Sequence, residues 1–146
     1  MKKYSFPVEI HTHTEHSDGS FTPHELIEAA KEFGYQGIIL TDHNTSSGYH
    51  EMEKSGLAED EDFIILKGME WTTYFGHMLV HNANYDVDWR EATPRNIDIY
   101  MKEVKEAGGL VGIAHPFDMG SPICTGCHWD FTVEDYHLVD YIEVWN

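Results

Sequence analysis

Short apolar runs alternate along the chain with segments of helical period, and this alternation sets the expected fold. Val8–His13 reads as a strand, followed by a loop to Ser20. Thr22, Pro23 and Glu25 then occupy the N-cap, N1 and N3 positions of a capping-box pattern, which predicts a helix start. The apolar stripe of that helix takes in Leu26, Ala30 and Phe33, and Gly34 closes it. Gly37–Thr41 is a continuous apolar run, as expected of a strand covered on both faces. A third strand begins at Phe63–Leu66 and continues through Gly68, Met69, Glu70 and Trp71; His77–His81 is a fourth. Thr93-Pro94 opens a helix carrying Ile97, Met101 and Val104, closed by Gly108-Gly109. Leu110–Ala114 is a fifth strand, Thr132 caps a short helix through Leu138, and Tyr141–Trp145 is a sixth strand. Strands separated by helices imply parallel βαβ units and an α/β fold. No repeat or linker divides residues 1–146, so one domain is expected.

The polar residues that interrupt this pattern fall at strand ends. His11 and His13 close the first strand, His43 follows the second, Glu70 ends the third and His115 ends the fifth. In a parallel barrel the carboxyl ends of the strands share one face, where active sites lie. His11-Thr12-His13 sets two imidazoles on one side of an extended chain, because side chains alternate with a period of two. Ser17-Asp18-Gly19 brings a carboxylate on a tight turn. Asp42 stands beside His43 as an orienting partner, although Asp and Asn also suit an ordinary βα loop. Glu70 lies in an otherwise apolar strand, where an unpaired carboxylate is costly to bury. Metal coordination would offset that cost, and a lysine salt bridge is the plainer alternative.

Charge points the same way. The 146 residues carry 26 acidic against 9 basic side chains, a net charge of −17, and eleven histidines. Nucleic-acid binders present basic faces, so an extended DNA or RNA partner is disfavoured. Bound divalent cations would reverse the local potential for an anionic substrate. No apolar run approaches the roughly 20 residues that span a bilayer, so no membrane partner is expected. No apolar stretch follows the start MKKYSFPVEI as a signal peptide requires, so a cytoplasmic location is expected.

The words HTHTEHSDG, TDHN, GMEWTTYFGH and GIAHP, in this order and spacing, resemble the polymerase and histidinol phosphatase (PHP) metallohydrolase family over essentially the whole chain. GMEWTT with YFGHM looks most like its carbaryl-hydrolase-like branch. The resemblance implies a distorted (β/α)7 TIM-like barrel and two or three divalent ions: manganese, iron or zinc. It places His11 and His13 on one ion, with Glu70 bridging to a third. Asp18 and His43 hold the second, and His77 and His115 complete the third. Glu70, His115 and Asp42 would serve the reaction directly. Ions roughly 3.5–4 Å apart would lower the pKa of a shared water and neutralise phosphoryl charge. Arg90, Arg95 or a lysine would steady a non-bridging phosphoryl oxygen. The family's further Asp-x-His strand has no counterpart before Asn146, so about six strands are expected. The chain is taken as a fragment whose open sheet edge invites homo-oligomers.

The remaining signals are weaker. His16 reads as a loop residue, His81 shares a strand face with His77, and His24, His50 and His137 read as surface. Glu143 stands near the site as a supporting carboxylate or a structural ion-pair partner. Cys124-Thr125-Gly126-Cys127-His128 matches a c-type haem attachment pattern. Without an export signal it reads instead as a substrate-side loop with reduced thiols, or as a redox-labile pair. Trp71, Trp129 and Tyr74 are candidate pocket residues. The leading expectation is a metal-dependent hydrolase of small phosphate esters acting on a small phosphorylated molecule. The alternatives are a carbamate, amide or ester hydrolase and a non-catalytic metal-binding module.

Overall fold

A computed structural model of the chain describes residues 6–59, 62–86, 88–120 and 124–144. One curled sheet of six strands runs through it in simple chain order. The strands are β1 (Val8–Thr12), β2 (Gly37–Leu40), β3 (Ile64–Thr72), β4 (His77–His81), β5 (Leu110–Ile113) and β6 (Tyr141–Ile142). Three helices cover it: α1 (Pro23–Glu32), α2 (Ser47–Ser55) and α3 (Ile97–Glu106). This is the architecture of an incomplete TIM-like barrel of the expected type. Among the described residues no helix is long and apolar enough to cross a membrane.

Local chemistry explains the starts and stops. The Thr22 side chain accepts from the Glu25 backbone N–H while the Glu25 carboxylate accepts from the Thr22 N–H, so the capping box forms in full. Such caps contribute about 1 kcal/mol. The stripe of α1 is shifted from the expected one. Ile27 and Ala30 are buried, whereas Phe33 lies beyond the last turn and is 85% exposed. The expected α3 start at Thr93-Pro94 falls three residues early. Thr93 instead donates its N–H to the Asn96 side chain in the preceding turn, and the helix begins at Ile97. The helix expected from Thr132 to Leu138 shrinks to one 3-10 turn over Tyr136–Leu138, capped by Asp135. α2 has no forerunner in the sequence reading: its Ser, Gly and Tyr residues make a weak helical pattern.

Not every strand is parallel. β1, β2 and β3 pair in parallel, but β4 runs antiparallel to both β3 and β5. Only Thr73–Gly76 separates β3 from β4, too short for a helical crossover. The reversal matters for the site, because it brings the first residue of β4, His77, opposite Thr72 at the end of β3.

Alternation sorts the side chains. On β3, Met69 and Trp71 join an apolar cluster with Met78, Val80, Val111, Ile113 and the α3 residues Ile97, Met101 and Val104. A second cluster packs Ile38, Leu40 and Ile65 under Ile27 and Met52 of α1 and α2. Glu70, between Met69 and Trp71, projects to the opposite, concave face.

Candidate metal centre

Glu70 is fully buried, and its partners are imidazoles rather than a lysine. Its Oε2 lies 3.1 Å from His11 Nε2, 3.2 Å from His13 Nε2 and 3.2 Å from His43 Nδ1. Its Oε1 lies 2.7 Å from His77 Nδ1 and 2.9 Å from His115 Nε2. Five rings from four separate stretches of backbone thus surround one carboxylate. The sequence reading expected these groups to converge, and they do.

The partners of each ring nitrogen show what the arrangement suits. Thr125 offers His77 a backbone carbonyl, 3.2 Å from Nε2, and a carbonyl only accepts. With an ion bound, the His77 proton would sit on Nε2, and its Nδ1, 2.7 Å from Glu70 Oε1, would turn a lone pair to the ion. His11 would behave alike: with its Nδ1–H given to Glu143 at 3.1 Å, its Nε2 would be left for the ion. Lone pair against carboxylate is repulsive unless a cation lies between them. In addition, Nδ1 of His13 and Nδ1 of His115 are buried without a hydrogen-bond partner. Rings that give one N–H to a carboxylate or carbonyl and turn the other nitrogen inward are the usual setting of metal-bound histidine. The donor set fits divalent ions, with imidazole and carboxylate acceptable to manganese, iron and zinc alike.

The Asp18 side follows the same logic. The Thr72 hydroxyl spends its one proton on the Glu70 carbonyl, so it accepts from His43 Nδ1–H at 2.6 Å. His43 Nε2 is then free, 3.4 Å from Asp18 Oδ2. His13, Asp18 and His43 have ligand atoms within 4.8 Å of one another. Gly19 lets the Asp18 turn fold back, since a Cβ there would collide with the His13 carbonyl. Asp42 departs from expectation. It does not orient His43; it accepts from Thr14 N–H and Oγ1 and from Ser17 Oγ, each at 2.7 Å. Asp42 is a buried anchor for the loop that carries Asp18.

Burial favours neutral Glu70, but hydrogen bonds from His11, His115, His13 and His77 outweigh it and hold the carboxyl far below the usual range. Burial also acts against a charge on His11, yet its bonds to Glu143 and Glu70 raise its pKa to about 9. At neutral pH a proton thus takes the place between His11 and Glu70 that a metal ion would claim. His115 is raised against its burial by Glu70, while burial lowers His43. Glu143 grips two ligand candidates: it accepts from the His11 ring and from the backbone N–H of His115 at 3.0 Å. His115 has φ +25°, a conformation L-residues rarely adopt, and this bond helps hold it.

The other expectations divide. His16 does not face open solvent: it ties its loop to α2 through Ser47 at 2.8 Å and Glu51 at 3.1 Å. His24, His50 and His137 are exposed as expected. His81 faces the interior but bonds Tyr141 OH rather than the cluster. Trp71 is core, not pocket lining. The sulfurs of Cys124 and Cys127 are joined, which fits the redox-labile pair rather than the loop with reduced thiols. Sequence reasoning missed Thr72 and Thr125, whose contributions come through a hydroxyl and a carbonyl that no spacing rule marks.

The PHP domain matches residues 9–142, a span holding every one of these ligand candidates. The chain belongs to the PHP domain family. The 5'-3' exoribonuclease Rnm of Salmonella typhimurium is 27% identical over 110 residues, 73% of this chain and 36% of its own length. The 3',5'-nucleoside bisphosphate phosphatase of Chromobacterium violaceum is 30% identical over 81 residues, 56% of this chain and 28% of that protein. The chain therefore spans well under half the length of either relative. The same fold is seen in the crystal structure of a proposed metal-dependent phosphoesterase from Bifidobacterium adolescentis. It superposes with a TM-score of 0.63 at 18% identity, covering 97% of this chain and 78% of that one.

Proposed function

We infer that the chain is a metal-dependent phosphoesterase acting on small phosphate esters such as nucleotide or sugar phosphates. The observation that carries this reading is Glu70, a fully buried carboxylate faced by five histidine nitrogens within 3.2 Å. His11 and His13 would hold one ion, Asp18 and His43 a second, and His77 and His115 a third, with Glu70 shared. Bound ions supply Lewis acidity toward phosphoryl oxygens and lower the pKa of water into the neutral range. The chain's own residues do the rest. Glu143 and the Thr125 carbonyl fix the tautomers of His11 and His77, and the Thr72 hydroxyl fixes that of His43.

A pocket of about 180 Å³ opens beside the cluster, lined by Asn44, Thr72, Thr73, Tyr74, Trp89 and Thr125. Tyr74 and Trp89 give it an aromatic wall suited to a planar leaving group. Arg90 is engaged with Asp88 at 2.6 Å and Arg95 is exposed, so phosphate recognition falls to the ions. The names of the two relatives, both acting on phosphate esters, support this choice of bond.

The test compares p-nitrophenyl phosphate with a naphthyl carbamate, with manganese or zinc added. Turnover of the phosphate ester alone is expected, and Glu70→Gln should abolish it together with stoichiometric metal uptake. Cleavage of the carbamate but not the phosphate would replace this reading, and metal uptake with neither cleavage would leave a binding module.

A further inference from the structure

The turn Cys124–Cys127 is packed directly against the candidate centre. Its Thr125 carbonyl holds the His77 ring, and Gly126 sits at φ +76° with its Cα against the Thr73 carbonyl, where a Cβ would collide. Past the turn, Trp129 donates its N–H to Pro116 O at 3.2 Å, and Asp130 donates its N–H to Phe75 O at 2.7 Å. These bonds seat the turn between the segment after His115 and the turn before His77. Cys127 is buried there. Its Sγ and one ring nitrogen each of His77 and His115 all lie within 4.8 Å of one another. The same sulfur is joined to Cys124.

We propose that Cys127 is a thiolate ligand for the ion held by His77, His115 and Glu70, and that its disulfide with Cys124 withdraws it. The proposal rests on the metal-centre reading above. A sulfur can serve only one of the two bonds well: a thiolate donates to a cation, whereas a disulfide sulfur carries no charge. Reduced, the site offers two imidazoles and a thiolate within reach of one another, with the Glu70 carboxylate against both rings, ligand types of the kind that close a zinc site. Thiolate also shifts preference toward zinc and away from manganese. Oxidised, three protein ligands remain and a position stays open for water or substrate, the arrangement of catalytic sites.

The switching step balances with a small-molecule disulfide as oxidant. The half-buried Cys124 thiolate attacks it, releasing one thiol and forming a mixed disulfide. Cys127 thiolate then displaces the second thiol, leaves the ion and closes the intramolecular bond. Two protein thiols become one disulfide, and the incoming disulfide departs as two thiols.

Cobalt(II) alone is the probe, added to the full chain either reduced with dithiothreitol and desalted without oxygen, or oxidised with glutathione disulfide. The reduced chain is expected to show a sulfur-to-cobalt charge-transfer band in the near ultraviolet, and the oxidised chain to lose it. Cys124→Ser should keep the band whatever the oxidant, and Cys127→Ser should lack it. Should Cys127→Ser fail to fold, the contrast between the oxidised chain and Cys124→Ser still decides. Visible cobalt bands from imidazole and carboxylate ligands, with no sulfur band in the reduced chain or in Cys124→Ser, would overturn the proposal and leave the metal centre standing. Failure of cobalt to bind in any form would remove both.

Discussion

Glu70 and Trp71 are neighbours on β3, both completely buried, yet they face opposite sides of the sheet and answer to different physics. Trp71 packs on Tyr100 at 4.6 Å between ring centroids, inside a cluster built from β3, β4, β5 and α3. Glu70 meets only polar partners that would repel one another without protons or cations among them. The convex side stabilises the chain through apolar burial, and the concave side uses that stability to hold charged and titratable groups together. The pattern of β4 and β5 agrees: Met78, Val80, Val111 and Ile113 belong to the core, while His77 and His81 share Glu70's side.

The contrast can be broken most directly at Trp71. Trp71→Ala should cost about 3–5 kcal/mol, as large aromatic truncations in well-packed cores do. Urea unfolding measures this, and a loss below about 1 kcal/mol would show that the convex cluster is not what holds β3. The next effect belongs to His81, a titratable group on the concave side that bonds Tyr141 rather than Glu70. Burial, with the charge of His11 nearby, lowers its pKa to about 4. In the unfolded chain an imidazole titrates near 6.5. Below that pH the unfolded state gains a proton that the folded state refuses, so stability falls as pH drops from 6.5 toward 4 and levels off beneath. The total is roughly 3 kcal/mol at 1.36 kcal/mol per pKa unit. His81→Gln should flatten this part of the stability–pH curve, and an unchanged slope would assign the loss to other groups.

A smaller and more selective effect is expected at Glu143. Glu143→Gln keeps an acceptor for His11 but removes the charge that makes its Nε2 a stronger donor. Partners of this kind change metal affinity by roughly 10–100-fold. Metal-binding titrations should show that loss while the unfolding midpoint of the metal-free chain moves little. A large shift in the midpoint with unchanged affinity would make Glu143 a structural residue only.

What the sequence by itself determined was the set of strands and the identity of the ligand candidates. Six strands were legible because continuous apolar runs and period-two alternation are local signals. The capping box at Thr22 was legible because its two bonds span three residues. His11, His13, His43, Glu70 and His115 stood out as polar groups at strand ends or inside apolar runs, Asp18 as a carboxylate on a tight turn, and His77 through the motif resemblance.

What only the tertiary structure decided was direction and partnership. The reversal of β4 could not be read from an apolar run, because a strand looks the same in either sense. Yet it carries His77 up to Glu70. Asp42 sits beside His43 in sequence, but a loop bends its carboxylate to Thr14 and Ser17 instead. The Thr125 carbonyl on His77 and the Thr72 hydroxyl on His43 join residues 48 and 29 positions apart. Cys127 reaches the same centre across a comparable distance in the chain. Tautomers, ligand orientation and access to the sulfur depend on contacts between distant segments, and such contacts exist only once the sheet has curled and the core has closed.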